Sequence, residues 1–492
     1  MISFLASLVI FLAVTAIFAL DDLHIDLQAW FRRLRPRRLT DADLAAWRQL
    51  PEKPIAILVA NWHEADVIDR MLRGNLSRLD YSRYVFFVGV YPNDPETIAA
   101  AERMAQESAR VIVITNPLPG PTTKGQMLNV IFREAIRLEA ELGLQFELFA
   151  MHDSEDVLHP HSLRLFNVAA ERADFIQIPV FSFARGGNQW VASTYMDEFA
   201  ELHTKDLLVR NALRAGLPSA GVGTALSRKL VLTLMARQQG QVLREDSLTE
   251  DYILGMTAAE LGFTSSFECA YIARKVPGRR SEVRDFIATR EYFPSSWERA
   301  VRQKGRWIHG IVIQGRRLLR FEGPWTRRYF LWRDRKGPLV AILGLAGMMF
   351  LGASLLARLL APVIWPMDWT AAMVDAVEAQ RDTLMLYQVA LALLSLNLLM
   401  ALWRVGHRMR SVWWVHDAKA SALSALRLPV INVLNFAASF RAYQQARQAE
   451  RDGRAPAWVK TTHELPADFG LAQPKIETAR ETTQVSPPEA ST

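Results

Sequence analysis

The chain has 492 residues, 50% hydrophobic and 22% charged, with a formal net charge of +7. That length holds two or three domains, or one domain with membrane segments, and the composition is greasier than an ordinary soluble enzyme but not that of a polytopic transporter. A single cysteine, Cys269, excludes an internal disulfide. No zinc-ligand cluster, basic repeat or RNA-reading aromatic motif accompanies the positive charge, which therefore points to a membrane surface and not to nucleic acid.

Residues 2–20 are apolar except for Ser3, Ser7 and Thr15. About 20 such residues rise about 30 Å as a helix, enough to span a bilayer. A cleaved signal peptide would want a Lys or Arg before the apolar run and a small-x-small site after it. Neither is found, so residues 1–22 read as an uncleaved anchor. A basic linker, 23–53, follows. Its Arg32, Arg33, Arg35, Arg37 and Arg38 place the next segment in the cytoplasm by the positive-inside rule.

Residues 54–335 read as one globular α/β unit. Short apolar runs at 55–60, 85–90, 110–114 and 146–151 suit buried parallel strands, and helical stretches lie between them. This alternation predicts a doubly wound, mostly parallel sheet, with ligands at the carboxyl ends of its strands. A later strand is expected at 175–180, a helical insert at 192–215 and a glycine-containing loop at 218–224. The run 308–313, with Arg316, Arg317 and Arg320 behind it, suggests a helix in the membrane interface.

Two further spans are expected, at 338–360 and 383–403, within a membrane region of residues 336–445. Arg404, His407, Arg408 and Arg410 close the second span and again point inward. Trp365, Trp369, Trp403, Trp413 and Trp414 suit an interfacial belt, or a core. Residues 423–440 carry Arg427, Pro429, Asn432 and Asn435, costly at a bilayer centre, and read as interfacial or re-entrant. The tail, 446–492, is expected to be cytoplasmic, and disordered from Pro466 onward.

Three groups of residues could carry chemistry. His152-Asp153-Ser154-Glu155-Asp156 follows the fourth strand. Clustered carboxylates at a strand end can hold Mg²⁺ or Mn²⁺, or can simply form an acidic turn before the next helix. Thr249-Glu250-Asp251 could supply a general base, or could cap a helix with acids in its first turn. Gln303-x-x-Arg306-Trp307 offers an amide, a guanidinium for a diphosphate and an indole for a sugar face.

In this order the pieces resemble the family 2 glycosyltransferases of the processive, cellulose- and hyaluronan-synthase-like group. The matching series is ILVANWHE, GPTTKGQMLN, HDSED, TED and QKGRW, followed by membrane helices. The likeness is closest to the transferase portion of the phage-adsorption-protein branch, through GVYPNDPET, PSAGVGTALSR, SLTEDYILG, REYFPSSWERAVRQKGRWIHGIV, YFLWRDRKG and WVKTTHELP. It covers residues 54–466 or so. The resemblance implies a GT-A fold: a mostly parallel mixed sheet with flanking helices, plus transmembrane and interfacial helices.

The resemblance also implies roles. Asp153 and Glu155, with Asp156 beside them, match the group that binds a divalent metal and the nucleotide diphosphate. Asp251 matches the general base, supported by Glu250. Gln303, Arg306 and Trp307 match the motif near acceptor and diphosphate. Lys124, Asn129 and Glu64 match positions near the donor nucleotide. Some residues depart from the pattern. The first-strand motif reads Ala60-Asn61-Trp62-His63-Glu64, without the usual proline and with His63 for Asn. The usual base-binding Asp falls at Val90, and Asp94 reads as a turn residue. That branch also carries a cyclic-di-GMP-sensing domain, and no such element is found here.

The expected activity is inverting transfer from a UDP-sugar, an N-acetylhexosamine with N-acetylmannosamine leading, to a surface or exopolysaccharide glycan at the bacterial inner membrane. Partners would be the nucleotide-sugar donor, a glycan acceptor, membrane lipid and an outer-membrane export partner. The alternatives are single-sugar transfer to a lipid-linked acceptor, or a non-catalytic envelope or phage-adsorption partner.

Overall fold

The computed structural model describes residues 2–185, 189–275, 282–364, 381–452 and 464–470. The calls on Trp365 and Trp369, and on the tail beyond residue 470, lie outside them.

Thirteen strands are described. They are β1 (Arg37–Leu39), β2 (Ile55–Ala60), β3 (Tyr84–Val90), β4 (Val111–Thr115), β5 (Leu148–His152), β6 (Val157–Leu158), β7 (Phe175–Gln177), β8 (Val180–Ser182), β9 (Thr224–Ser227), β10 (Ser265–Phe267), β11 (Ala270–Arg274), β12 (Val283–Phe286) and β13 (Thr289–Glu291). Seven form the central sheet, in the order β10-β7-β9-β5-β2-β3-β4. Every pairing in it is parallel except those of β9, which runs antiparallel to both β5 and β7. β2 and β3 have no exposed residue, as strands covered on both faces require.

The segment expected as one strand at 175–180 is two. Pro179 has no N–H to give the ladder, and β8 leaves the central sheet to pair with β13, whose other edge takes β6. The linker expected at 23–53 is largely structured. β1 joins β11, and helix Asp41–Gln49 buries Leu44 and Trp47 in the sheet's core. Its start is written in the sequence: Thr40 and Asp43 form a reciprocal capping box. Part of the tail is also placed. Arg70 donates to the carbonyls of Ala467 (3.0 Å) and Phe469 (3.1 Å), and the Phe469 ring lies over Gly74. A side chain at Gly74 would collide with that ring.

Helices Ile2–Phe31, Trp325–Ile364 and Arg381–Val415 are each long and apolar enough to cross a membrane. In each, 11% of the most apolar window is buried, so the greasy side chains face outward and call for apolar surroundings. The shorter helices Ala418–Leu426 and Leu428–Asp452 meet at 60°. Pro429 cannot donate into a continuous helix, so the break falls there.

Charged residues fasten these helices to the globular body. The insert forms helix Trp190–Glu201, a π-helical stretch Leu202–Asp206 and helix Leu207–Ala212. Its Lys205 meets Asp26 of the first apolar helix at 2.5 Å, and its Glu201 meets Arg404 at 2.8 Å and Arg408 at 3.2 Å. Asp197 and Arg427 form a two-pronged pair at 2.6 and 2.7 Å, both buried. Removing one partner of such a pair strands the other charge. Arg427→Met is therefore expected to cost about 3–5 kcal/mol in thermal unfolding in detergent, and Asp197→Leu/Arg427→Met to recover most of that loss.

Candidate active site

The site lies at the carboxyl end of β5. Helix Lys124–Arg137 starts at Lys124, with the Thr123 side chain accepting from the Gln126 N–H at 3.2 Å. Helix Glu250–Glu260 starts at Glu250, so both acids of the Thr-Glu-Asp stretch sit in its first turn, where the helix dipole favours negative charge.

Lys124 is the hub. Its ammonium ion-pairs with Asp153 and reaches the Gly221 carbonyl at 3.4 Å. Burial would lower this ammonium, but Asp153, Glu250 and Asp251 together hold it above its ordinary value. Acids far apart in the chain thus share one cation. Burial pushes the Glu250 carboxyl up to about 7, with help from Asp251 and against the pull of Lys124 and Arg306. Burial likewise raises Asp251, opposed by Lys124 and Arg306. Its Oδ1 accepts from the Tyr252 N–H at 2.7 Å.

The glycine loop closes over this group. Gln177, fully buried at the end of β7, accepts from the Ala220 N–H (3.0 Å) and the Thr224 hydroxyl (2.6 Å) and donates to the Val222 carbonyl (2.9 Å). Gly221 has φ +83°, and a Cβ there would lie 2.5 Å from Asp251 Oδ2. On the other side, the π-helical stretch His309–Gln314 supports the acids. Gln314 accepts from the Leu248 N–H at 2.9 Å, and a Cβ at Gly310 would lie 2.3 Å from Thr249 Oγ1. The run 308–313 packs here, because Gly310 admits Thr249 and buries His309 and Val312 with it.

The remaining predicted residues divide. Arg306 lies in the field of both Glu250 and Asp251. Gln303 has its Oε1 buried without a hydrogen-bond partner among the described residues. Trp307, expected to offer its face to a sugar, is half-buried, with the Tyr195 ring edge-on at 6.0 Å and Phe293 at 6.5 Å. Glu64 is buried beside the end of β2, its N–H bonded to Thr97 Oγ1 at 2.9 Å.

Two residues have a different place from the one expected. Asn129 is fully buried, and its amide is used up inside the protein. Oδ1 accepts from the N–H groups of Val242 and Leu243, both at 2.9 Å, and Nδ2 donates to the Leu243 carbonyl and to Glu245. It braces the strap leading to Thr249 and cannot also face a donor nucleotide. Asp156 is also fully buried. Its Oδ2 takes the Asp153 N–H at 3.0 Å and His152 Nδ1 at 2.8 Å, so as placed it shapes the acidic turn and no ion reaches it from solvent.

Four residues were missed as members of the site. Glu291, at the end of β13, is raised well above its ordinary value by burial and then by Asp156, Glu155 and Asp153. Nothing in its spacing marks it, because β13 reaches the acids only through its pairing with β6. Gly221 was legible as a loop glycine but not as the neighbour of Asp251. Trp62 and Tyr91 make an aromatic corner at the ends of β2 and β3, with ring centroids 5.1 Å apart.

Whether a divalent cation fits can be tested on these residues. Among the described residues no three His, Cys, Asp or Glu side chains converge on a metal-sized point. Ions that bridge a diphosphate need only one or two protein carboxylates, the rest coming from phosphate and water. Asp153 is partly exposed and pairs with Lys124, and the Glu155 and Glu291 carboxyls lie near enough to feel one another and Asp153. This oxygen-rich, over-negative corner suits a hard cation.

A glycosyltransferase-like family 2 model matches residues 51–310, more than half of the chain. The chain belongs to this glycosyltransferase family. This glycosyltransferase is 37% identical over 469 residues to the bacteriophage adsorption protein B of Escherichia coli K12, and equally to the bacteriophage N4 adsorption protein B of E. coli O157:H7. Each match takes in 92% of this chain but 61% of the relative's length. Among solved structures, a mannosyltransferase from Pyrobaculum calidifontis in complex with GDP-mannose and Mn²⁺ aligns over 81% of this glycosyltransferase and 99% of its own chain, at 15% identity and a TM-score of 0.45.

The raised Glu250 makes this glycosyltransferase pH-dependent in a defined direction. Below about 4.5 the group is protonated folded or unfolded. Between there and about 7 the folded state keeps a proton that the unfolded chain has lost. Stability therefore falls as pH rises through that window. Glu250→Gln is expected to abolish this fall, giving a higher thermal midpoint than the parent at about pH 8 and an equal one at about pH 4. Equal slopes in the two proteins would show that Glu250 is not held protonated.

Proposed function

We propose that the protein is a membrane-embedded inverting glycosyltransferase whose catalytic body faces the cytoplasm and which moves a sugar from a UDP-type donor to a glycan hydroxyl. The observation that carries this reading is the meeting of Asp251, Glu250, Asp153, Lys124 and Arg306 at the carboxyl end of β5. A base and cations able to offset a leaving diphosphate then lie in one cluster.

Asp251 takes the proton of the acceptor hydroxyl. The freed oxygen bonds to the anomeric carbon as the bond from that carbon to the diphosphate oxygen breaks, and the electron pair leaves with the diphosphate. Lys124 and Arg306 offset the charge that builds there. Burial and the like charge of Asp153 raise the basicity of Asp251. A bound Mg²⁺ or Mn²⁺ would supply further charge neutralisation on the diphosphate, held by Asp153 with Glu155 and Glu291 near. The three apolar helices support the membrane placement, and the arginines after the first support the cytoplasmic orientation.

Likeness to the phage adsorption proteins supports a surface polysaccharide as product and an N-acetylhexosamine as the sugar. A nucleotide-sugar panel on the full chain in nanodiscs, with and without Mn²⁺ or Mg²⁺, tests this reading. Release of UDP with one N-acetylhexosamine donor, and a polymeric product, is the expected result. A single-sugar product would favour the lipid-linked acceptor, and no release with any donor would sink the enzymatic reading.

A further inference from the structure

A cavity of about 930 Å³ lies apart from the acids, between the end of the first apolar helix and the end of helix Arg381–Val415. Its walls include Trp30, Trp403 and Trp414, and its rim carries Arg33, Arg35 and Arg410. The turn Arg33–Pro36 places two of these arginines. Arg33 adopts φ +54°, and the Leu34 N–H bonds back to the Ala29 carbonyl at 2.8 Å, which turns the chain sharply at the helix end.

The charges at this cavity are not balanced. Its one acid, Asp26, is committed to Lys205 at 2.5 Å and to the Trp403 indole N–H at 2.9 Å. Among the described residues, no carboxylate comes within ion-pair distance of Arg33, Arg35 or Arg410. Three unmatched guanidinium groups thus ring a pocket with indole walls. Apolar side chains in its wall and beside it are open: Trp30 is 69% exposed, Phe31 71% and Leu402 71%.

The geometry points to a binding site for the phosphate headgroup of an anionic membrane glycerophospholipid. Guanidinium groups match phosphate oxygens, indoles suit the headgroup level of a bilayer, and the exposed apolar side chains at the same place offer contact to acyl chains. The size falls in the range of small-ligand sites. A soluble phosphate would meet the same arginines but would leave those apolar side chains uncovered, which favours the lipid. The inference rests on the membrane reading above and is independent of the sugar transferred.

The test uses the full chain, delipidated in detergent and offered dioleoyl phosphatidylglycerol, dioleoyl phosphatidylcholine or millimolar inorganic phosphate. Native mass spectrometry counts bound lipid, and brominated phosphatidylglycerol reports proximity by quenching tryptophan. One phosphatidylglycerol per chain is expected, not displaced by phosphate. Arg33→Gln/Arg35→Gln/Arg410→Gln should weaken it about a hundredfold, and the corresponding triple Lys variant should keep it within a fewfold. Arg410→Gln alone, on the other helix, should weaken it severalfold if the triple variant does not fold. Equal retention by the Gln variants, equal retention of phosphatidylcholine, or displacement by phosphate would each overturn the site. A wild-type chain that stays in solution without detergent would instead overturn the membrane reading beneath it.

Discussion

Asp251→Asn is expected to lower kcat by a factor of about 10² to 10⁴, the usual worth of a positioned general base, while leaving donor binding intact. The substitution is close to isosteric, and the amide oxygen can still accept from the Tyr252 N–H that Oδ1 now takes at 2.7 Å. The first turn of helix Glu250–Glu260 should therefore persist. What is lost is an acceptor for the proton, and with it the like charge that helps raise Glu250. Two measurements check this together: released nucleoside diphosphate under turnover, and donor affinity by calorimetry. An enzyme that kept half its rate would move the base to another group, with Glu250 the next candidate.

Gly221→Ala is expected to be almost as damaging to the rate and far less so to the fold. The new methyl carbon would occupy a point 2.5 Å from Asp251 Oδ2, closer than carbon and oxygen approach without a bond. Either the loop or the carboxylate must move, and a misplacement of about 1 Å at a reacting group costs about 10² in rate. The left-handed φ of +83° adds about 1–2 kcal/mol for any residue with a Cβ. Gly262→Ala separates the two effects, since Gly262 has φ +80° with nothing within 4 Å. It should lose similar stability and no activity. If both variants turned over at the parent rate, the loop would be shown to yield without disturbing Asp251.

Much of this arrangement could be read from the chain before any coordinates. β2, β3 and β5 are buried apolar runs and β4 a half-buried edge strand, and the acids after β5 stand where a parallel sheet presents its ligands. Periodicity and turn chemistry are local signals, and these elements are local objects. Harder to read were features whose partners lie far away in sequence. Nothing near Glu291 says that β13 will pair with β6 and bring a fourth carboxylate to the acidic turn. Asn129 sits in a motif-like stretch, yet its amide is taken by the backbone of residues 242–243, and an amide looks the same in a sequence whether it meets a ligand or a carbonyl. Asp156 poses the same difficulty: it is the buried member of three carboxylates within four residues, and spacing alone does not choose which one turns inward. Thr224–Ser227 was hidden as a strand because it follows a glycine loop and runs against its neighbours.

The ion pairs that tie the insert helix to the apolar helices also bear on the order in which the protein can be built. Asp197 waits for Arg427, and Glu201 for Arg404 and Arg408. These partners leave the ribosome some two hundred residues later, after the whole catalytic body has emerged. Helix Leu428–Asp452 comes later still, and its Asn435 bonds to the Glu198 and Lys304 side chains beneath the Gln-x-x-Arg-Trp stretch. The nascent catalytic body would thus be held with buried charges unanswered until the last third of the chain has been made. Completion of the ion-pair set around the insert helix therefore waits on the C-terminal helices.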